Sequence, residues 1–307
     1  MSAGWVAAQV RSQSLASHCV GPAGAREIAG AGSLDAALEV LATSCYGERL
    51  HPGLDLAASE HEVFASVLWN LRVLAGWSPA LGASRFHVLA GVFELMNLRG
   101  ELGRLEGNQF ATPFELGSLA SISSHVAPLT LDELRDVLRR SPWGDPGVLD
   151  ASEVNIALQF TLARRIIDGV PEAAKWAQTY ATLVLSRLVT EVGPLDADST
   201  SAANVRAILG SRALSATSLG ELHDSLPRDV ASILNGVSGP DNLWLAEVQW
   251  RTRLWDEALE SLRRGGAGPE TVVAAIAVQF ADALRIRTAL EVAGRAGHGI
   301  EVLDAVA

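Results

Sequence analysis

The side chains of this 307-residue chain that could do chemistry are few and widely spaced. The segment Glu60–Glu62 reads Glu-His-Glu and sets two carboxylates beside an imidazole, but no His–Glu–x–x–His zinc motif accompanies it. His18 and Cys19 have no second Cys–His pair at the spacing of a metal site. Asp196 and Asp198 lie in a polar stretch without an aspartate-rich partner helix, which argues against a prenyl-transfer enzyme. The sequence therefore predicts no catalytic residue, no metal site and no cofactor.

Nucleotide-binding motifs are missing as well. No Gly-Lys dipeptide occurs in the chain, so a P-loop is excluded, and Gly30-Ala-Gly32 follows no predicted strand and lacks the third glycine of a dinucleotide site. Because the P-loop lysine is missing, we expect the purified protein neither to bind nor to hydrolyse ATP. Isothermal titration calorimetry checks this expectation, and saturable ATP binding at micromolar concentration would contradict it.

The bulk composition excludes several classes of partner. The chain carries 24 basic and 35 acidic residues, a net charge of −11, so it offers no basic stripe for nucleic acid or anionic lipid. Its hydrophobic content of 49% is enough for a folded core. Two cysteines are too few for a disulfide framework, and the sequence shows neither a signal peptide nor an apolar run of ~20 residues. We therefore expect a cytoplasmic protein with no transmembrane segment.

Capping residues and apolar spacing predict helices throughout, whereas alternating strand patterns are scarce. Ser59 and Glu62 form a predicted capping box, from which an apolar face runs to Gly76. Asp150 is predicted to cap a helix that ends at Gly169. Further helices are predicted from Pro171 and over 83–105, 242–264 and 269–294, with loops rich in Gly, Ser and Pro over 21–32, 106–129, 193–202 and 236–241.

The stretch 33–48 is repeated at 130–145 without a gap. Both copies open with a hydroxyl residue that can cap a helix, Ser33 or Thr130, and both continue with Leu-Asp. Both also end in an aromatic residue, a glycine and an acid. The pattern predicts the same helix-plus-turn conformation over 30–48 and 127–145, and an internally repeated chain.

Three helix endings share a second signature, in which an apolar residue precedes an arginine. These endings are Asn97-Leu-Arg99, Asn204-Val-Arg206 and Ala283-Leu-Arg285. Together with the predicted loops they divide the chain into three similar helical units, 1–112, 113–213 and 214–307, of which the last matches least well.

The asparagines and the arginines of this signature have different predicted roles. An asparagine between helices must find partners for its amide, so Asn97 and Asn204 are interpreted as structural residues that bridge to the backbone of a neighbouring repeat. The arginines either pair with carboxylates across repeats or lie at one height around a central opening, where Arg99, Arg206 and Arg285 would form a basic girdle that steers an acidic partner.

The sequence resembles a known family at its beginning and at these signatures. The stretch from Trp5 to Leu15 and the capped helix that ends in Tyr46-Gly-Glu resemble the N-terminus of the C subunit of prokaryotic V/A-type rotary ATPases, which is the d subunit of eukaryotic vacuolar ATPases. In that family each of three repeats ends on a helix with an acid–x–x–Asn–apolar pattern. Glu94-Leu-Met-Asn97-Leu matches it; the second copy has Ser201 before Asn204, and the third, at Ala283-Leu, keeps only the apolar residue.

The resemblance implies an all-α fold of three pseudo-repeated units, arranged as a funnel around a pseudo-threefold axis. It further implies a non-catalytic central-stalk subunit that joins the shaft to the membrane rotor ring in proton or sodium translocation, peripheral on the cytoplasmic side of the membrane. The candidate interface or inter-repeat residues are Asn97, Arg99, Asn204, Arg206 and Arg285. From the residues alone, an unrelated α-helical scaffold for other proteins and an all-α enzyme without a recognisable site stay open.

Overall fold

The protein is all-helical in the parts of the chain that the computed structural model describes, which are residues 3–79, 82–108, 112–122 and 128–295. No strand occurs in these ranges, so the predicted all-α class is confirmed. The helices are α1 Ala3–Ser17, α2 Gly21–Ala29, α3 Leu34–Leu41, α4 Leu56–Trp77, α5 Ala83–Leu105, α6 Leu131–Arg139, α7 Ala151–Gly169, α8 Ala174–Arg187, α9 Thr200–Leu209, α10 Ser211–Leu214, α11 Leu219–Ser225, α12 Arg228–Ala231, α13 Trp244–Arg264 and α14 Pro269–Gly294.

Six of the fourteen helices in the described ranges begin after a short polar residue whose side chain caps them: α3, α4, α6, α7, α9 and α11. Asp150 accepts a hydrogen bond from the backbone N–H of Glu153, as its place before α7 predicts. The predicted capping box at Ser59 and Glu62 is wrong, because α4 begins earlier, with Asp55 as its cap. Ser59 is buried inside the helix, where its hydroxyl donates to the carbonyl of Asp55.

The segment 21–32, predicted to be a loop, instead contains helix α2. Gly21 has a φ of +69°, which lets the chain turn sharply at the start of the helix, and Pro22 occupies the first turn, where no backbone N–H is needed. Ala25 and Ile28 are buried on one face of α2. The glycine and proline that suggested a loop therefore mark the beginning of a helix.

The described part of the chain forms two compact units. Unit 1 comprises the residues up to Ala83 and those from Arg251 onward, and unit 2 comprises the residues between them. The predicted boundaries after residues 112 and 213 lie inside unit 2, so the division into three repeats stays a prediction. No helix within the described ranges combines the length and apolar character needed to cross a bilayer.

Unit 1 is built around α14, which packs against α1, α2, α3 and α4. Nearly every position of α14 from Thr271 to Ala293 is buried, which explains its nearly continuous apolar sequence. Phe280 packs against Phe64 of α4, with ring centroids 5.9 Å apart. Asn70 of α4 donates to the amide oxygen of Gln279 at 2.6 Å, which provides a partner for a polar group at the same interface.

Unit 2 has two apolar clusters that share the long helix α7. One cluster joins α7 to α8, α9 and the short helices that follow them, and includes the fully buried Phe160. The other joins α7 to α5 and α6 around Leu138 and Trp143. Arg85 of α5 pairs with Glu172 through two hydrogen bonds of 3.1 Å, which ties the start of α5 to the turn before α8.

The two copies of the repeated stretch have the same helix-plus-turn hydrogen bonds. Ser33 caps α3 and Thr130 caps α6, each accepting from the N–H three residues later. After each helix a serine donates its hydroxyl to a leucine carbonyl at 2.7 Å and accepts the N–H of the aromatic residue, Tyr46 or Trp143. The predicted helical conformation of both copies is confirmed over the described residues.

Candidate functional site

The aromatic residue that ends the first copy points at a buried carboxylate on α14. Tyr46 donates its hydroxyl to Asp282 Oδ2 at 3.0 Å. The same carboxylate accepts the consecutive backbone N–H groups of Val20 at 2.9 Å and Gly21 at 2.8 Å, at the turn between α1 and α2. We call this arrangement the first carboxylate clasp. It attaches the turn before α2 and the turn after α3 to the same helix, α14.

A buried arginine completes the first clasp. Arg285 lies one turn after Asp282, 4% exposed, with Nη1 3.8 Å from the carboxylate and its guanidinium 4.6 Å from the ring centroid of Trp255. Its Nε and Nη1 atoms are buried without a hydrogen-bond partner. Burial lowers the pKa of Arg285, and the charge of Asp282 opposes that effect. The guanidinium is therefore held by the carboxylate charge and by the indole face.

The second copy of the repeat ends on an equivalent carboxylate of α5. Trp143 donates Nε1–H to Glu94 Oε2 at 2.7 Å. Glu94 also accepts two consecutive backbone N–H groups, those of Ser121 and Ile122, both at 2.8 Å, and the hydroxyl of Ser121. We call this arrangement the second carboxylate clasp. In both clasps one acid fixes a loop through two neighbouring N–H groups and a turn through an aromatic donor.

The second clasp also has its arginine, which comes from α7. Arg165 places Nη1 3.9 Å from Glu94 Oε2, and its guanidinium lies 4.6 Å from the ring centroid of Trp143. Its Nη1 atom is buried without a hydrogen-bond partner. Burial lowers the pKa of Arg165, and the charge of Glu94 acts in the opposite direction. An arginine stacked on a tryptophan beside the acid is thus common to both clasps, although the helix that supplies it differs.

The clasps change how the third helix signature is aligned. Because Asp282 takes the place of Glu94, Arg285 corresponds to Asn97, and the exposed Arg287 corresponds to Arg99. The pairing of Arg285 with Arg99 and Arg206, which the apolar–arginine pattern suggested, is therefore off by two residues. Arg285 is buried against Trp255 and does not present its charge to solvent, and the carboxylate nearest to it, that of Asp282, lies on the same helix and not across repeats.

In the first signature, Asn97 makes hydrogen bonds to the backbone, whereas Arg99 is exposed. Asn97 accepts the N–H of Phe114 at 2.7 Å and donates to its carbonyl at 2.9 Å, so its amide is satisfied by backbone. Phe114 lies two residues after the predicted boundary at residue 112, and the role of Asn97 as a bridge between repeats stays a prediction. Arg99 is exposed and donates to Asn155 at 2.9 Å.

The second signature lies on α9 and has no acid. Asn204 donates to the hydroxyl of Thr161 at 3.2 Å, and the exposed Arg206 donates to the carbonyl of Ala197 at 3.3 Å. Ser201, at the acidic position, is buried. The candidate residues therefore belong to one sequence pattern but make different contacts, and the interface role of Arg99 and Arg206 stays a prediction.

The first clasp is a buried site that shifts the pKa of several of its ionisable groups. Asp282 is buried, which raises its pKa, while the two N–H groups, Tyr46 and Arg285 act to lower it. Cys19 and Cys45 lie next to the donors in sequence, and burial followed by the charge of Asp282 raises the pKa of both thiols, that of Cys45 to about 12. Thiols in this state are poor nucleophiles. No group of three potential metal ligands is assembled among the described residues.

Stability should fall in alkaline solution because of these groups. Burial also raises the pKa of Tyr46 well above its usual value of 10.0, so the native state retains protons that the unfolded chain loses above pH 9 to 10. Their stabilising contribution is complete below the unfolded pKa and is lost as pH rises. A buried proton such as that of Tyr46 contributes a slope of about −1.4 kcal/mol per pH unit, and the exposed Cys45 contributes less because solvent screens its charge. Urea unfolding at pH 7.5, 9 and 10.5 measures this decline in the free energy of unfolding.

The variant Cys19→Ala/Cys45→Ala is the matched test of this pH dependence. We expect a shallower decline of the free energy of unfolding above pH 9 than in the parent chain, whatever the change at pH 7.5. An unchanged slope would show that the thiols are not responsible, and stability independent of pH up to 10.5 would contradict the prediction altogether.

The sequence contained signals for the clasps that no known motif captures. Glu94 was part of the family-like pattern, and Tyr46 and Trp143 were aligned in the repeat, but nothing in the spacing joined them. Asp282 stands two residues after Phe280, inside the apolar run of α14, and a charged residue in such a run needs a partner. That isolated acid was the strongest available signal.

Comparison with known proteins yields no relative: no family model and no curated protein matches the chain.

Proposed function

We propose that this chain is a non-catalytic central-stalk subunit of a V/A-type rotary ATPase, which couples the shaft to the membrane rotor ring in proton or sodium translocation. The sequence resemblance supplies the family, and the repeated carboxylate clasp is the observation that carries the proposal. A rotor joint must transmit torque without yielding. Close-packed helices whose loops are held by buried, hydrogen-bonded groups meet that requirement, because such interiors are dense and barely compressible.

The way the clasps follow the chain supports a closed set of repeats. The second clasp joins α5 to a loop and a turn that come later in sequence. The first clasp joins α14, the last helix of the described residues, back to the turns at Val20 and Tyr46. Repeats that continue from the last to the first need this return contact, whereas an open solenoid has separate caps at its two ends. In the proposal the three units form a funnel that receives the shaft.

The exposed arginines supply the proposed contact with the shaft. Arg99, Arg206 and Arg287 occupy the same position relative to Glu94, Ser201 and Asp282, five residues later on each helix. All three are exposed in a chain of net charge −11, and Arg287 pairs with Glu60 at 3.0 Å. In the proposal they form the basic girdle at the opening and steer an acidic partner.

Reconstitution with purified shaft subunits and rotor ring of a V/A-type ATPase tests the proposal. We expect the chain to sediment with both, and the variant Arg99→Gln/Arg206→Gln/Arg287→Gln to bind the shaft about tenfold more weakly at low salt, with a reduced salt dependence. The variant Arg139→Gln/Arg140→Gln/Arg212→Gln removes the same charge from other exposed sites and should bind normally. Equal weakening of shaft binding by both variants would show that net charge, and not the position of these arginines, determines the affinity.

The second candidate function is a helical scaffold unrelated to rotary ATPases. The same clasps would stiffen such a scaffold, so they do not distinguish the two functions. Binding to the shaft subunits and the rotor ring does. Failure of the folded chain to associate with either the shaft subunits or the rotor ring would reject the rotor function and leave the scaffold.

A further inference from the structure

Helices α1 and α4 carry several large apolar side chains that are exposed. Val6 and Val10 are exposed on α1, and Trp69 and Trp77 of α4 are 50% and 58% exposed. Val6 and Val10 lie one turn apart on the same side of α1, and the two tryptophans lie just over two turns apart on α4. We call these four residues the Trp69–Trp77 face.

Helices α1 and α4 contact each other. Gly4 lies beside the end of α4, where an added Cβ would be 3.2 Å from Pro79 Cγ and 3.6 Å from the carbonyl oxygen of Trp77. Both α1 and α4 pack against α14 and against each other, so their exposed side chains lie on the outer surface of one helix pair. A groove between two neighbouring helices is a common seat for a third, amphipathic helix.

The two stretches of sequence that carry the face contain arginine but no acidic residue. Residues 3–26 and 63–79 contain no aspartate or glutamate, although the whole chain has a net charge of −11. Their charged residues at neutral pH are arginines, and Arg11 and Arg72 are exposed beside the apolar side chains. Arg72 lies 5.8 Å from the ring centroid of Trp69, where it holds the indole by a cation–π contact. Exposed tryptophan with arginine is the composition of binding hot spots.

From the apolar face and its charge we propose that α1 and α4 bind an acidic amphipathic helix of a partner protein. Its apolar side covers Val6, Val10, Trp69 and Trp77, and its carboxylates pair with Arg11 and Arg72. A second copy of this chain is a poorer occupant, because a symmetric contact would bring the same arginines together. This inference goes beyond the proposed rotor function and does not depend on it.

A pair of labelled peptides tests the inference. One is an 18-residue helix of leucine and glutamate with an apolar stripe, and the other has lysine in place of glutamate. We expect the full chain to bind the acidic peptide at least tenfold more tightly than the basic one in fluorescence anisotropy, with helix gained in circular dichroism. The variant Trp69→Ser/Trp77→Ser should weaken binding of the acidic peptide about tenfold or more.

The matched control is Trp244→Ser, because Trp244 is 45% exposed on α13 and lies outside the face. It should leave peptide binding unchanged, and thermal unfolding should show that every variant is folded. Three results would overturn the proposal: no preference for the acidic peptide, equal weakening by Trp244→Ser, or no binding. Tryptophan-dependent binding to phosphatidylserine vesicles without peptide binding would assign the face to a membrane. A dimer abolished by Trp69→Ser/Trp77→Ser would assign it to a second copy.

Discussion

Replacing Asp282 with alanine is expected to lower the free energy of unfolding by about 3–5 kcal/mol, because it leaves the buried Arg285 without its counter-charge. The substitution also removes the acceptor of two backbone N–H groups and of the Tyr46 hydroxyl, which are left unsatisfied in the interior. Glu94→Ala should cost a similar amount in unit 2, since Trp143 and the loop at Ser121 lose the same kind of acceptor. Urea unfolding followed by tryptophan fluorescence and circular dichroism measures both.

Exposed acids provide the controls for these variants. Glu39→Ala in unit 1 and Asp198→Ala in unit 2 should change stability by no more than about 0.5 kcal/mol. The double variant Asp282→Ala/Arg285→Met removes both charges, so its loss should be smaller than the sum of the two single losses. A loss below about 1 kcal/mol for Asp282→Ala would mean that the clasp does not stabilise unit 1 as described.

Gly47→Ala is expected to destabilise the protein by about 3 kcal/mol, because the added methyl group would collide with backbone. Its Cβ would lie 2.5 Å from the carbonyl carbon and 2.8 Å from the Cα of Ala42, atoms that cannot rotate away. The collision would displace the turn that carries Tyr46, and with it the aromatic donor of the first clasp. The difference in urea midpoint from the parent chain measures the effect.

The aligned glycine of the second copy is the matched control. Gly144 has open space around its added Cβ but a φ of +72°, so alanine there costs only the strain of a left-handed backbone, about 1–2 kcal/mol. We expect Gly144→Asn to cost less than Gly144→Ala, because asparagine tolerates this conformation, whereas Gly47→Asn should be no better than Gly47→Ala. Equal losses for the two alanine variants would contradict these separate causes.

The sequence predicted helices well where their boundaries depend on residues close together in the chain. The ranges of α5 and α14 agree with the predicted 83–105 and 269–294, since each begins and ends at residues whose helix preference changes abruptly. The cap at Asp150 is likewise a contact over three residues. The start of α4 was misplaced because Asp55 and Ser59 are both good caps, and only the burial of Ser59 decides between them.

The clasps could not be read from the sequence in the same way. Tyr46 and Asp282 are 236 positions apart, and the other two donors to Asp282 are backbone groups, which leave no side-chain pattern. The repeat predicted that Tyr46 and Trp143 are equivalent but not what they bind. The alignment of Arg285 with Arg99 failed because it followed side-chain type, whereas the contacts preserve the position of the acid. The threefold arrangement and its partners are proposals that depend on the family resemblance.

The long reach of the first clasp sets an order for folding during synthesis. The hydrogen-bond donors of the second clasp lie 27 to 49 positions after Glu94 and can meet it once the turn at Trp143 has left the ribosome, whereas Val20, Gly21 and Tyr46 wait for Asp282, synthesised 236 to 262 residues later. Until α14 has been synthesised, the sides of α1 and α4 that pack against it are exposed. Closing so long a loop is also slow. Helices α1 to α4 are therefore completed only after the second clasp has formed, and their apolar surface is open to aggregation for longest.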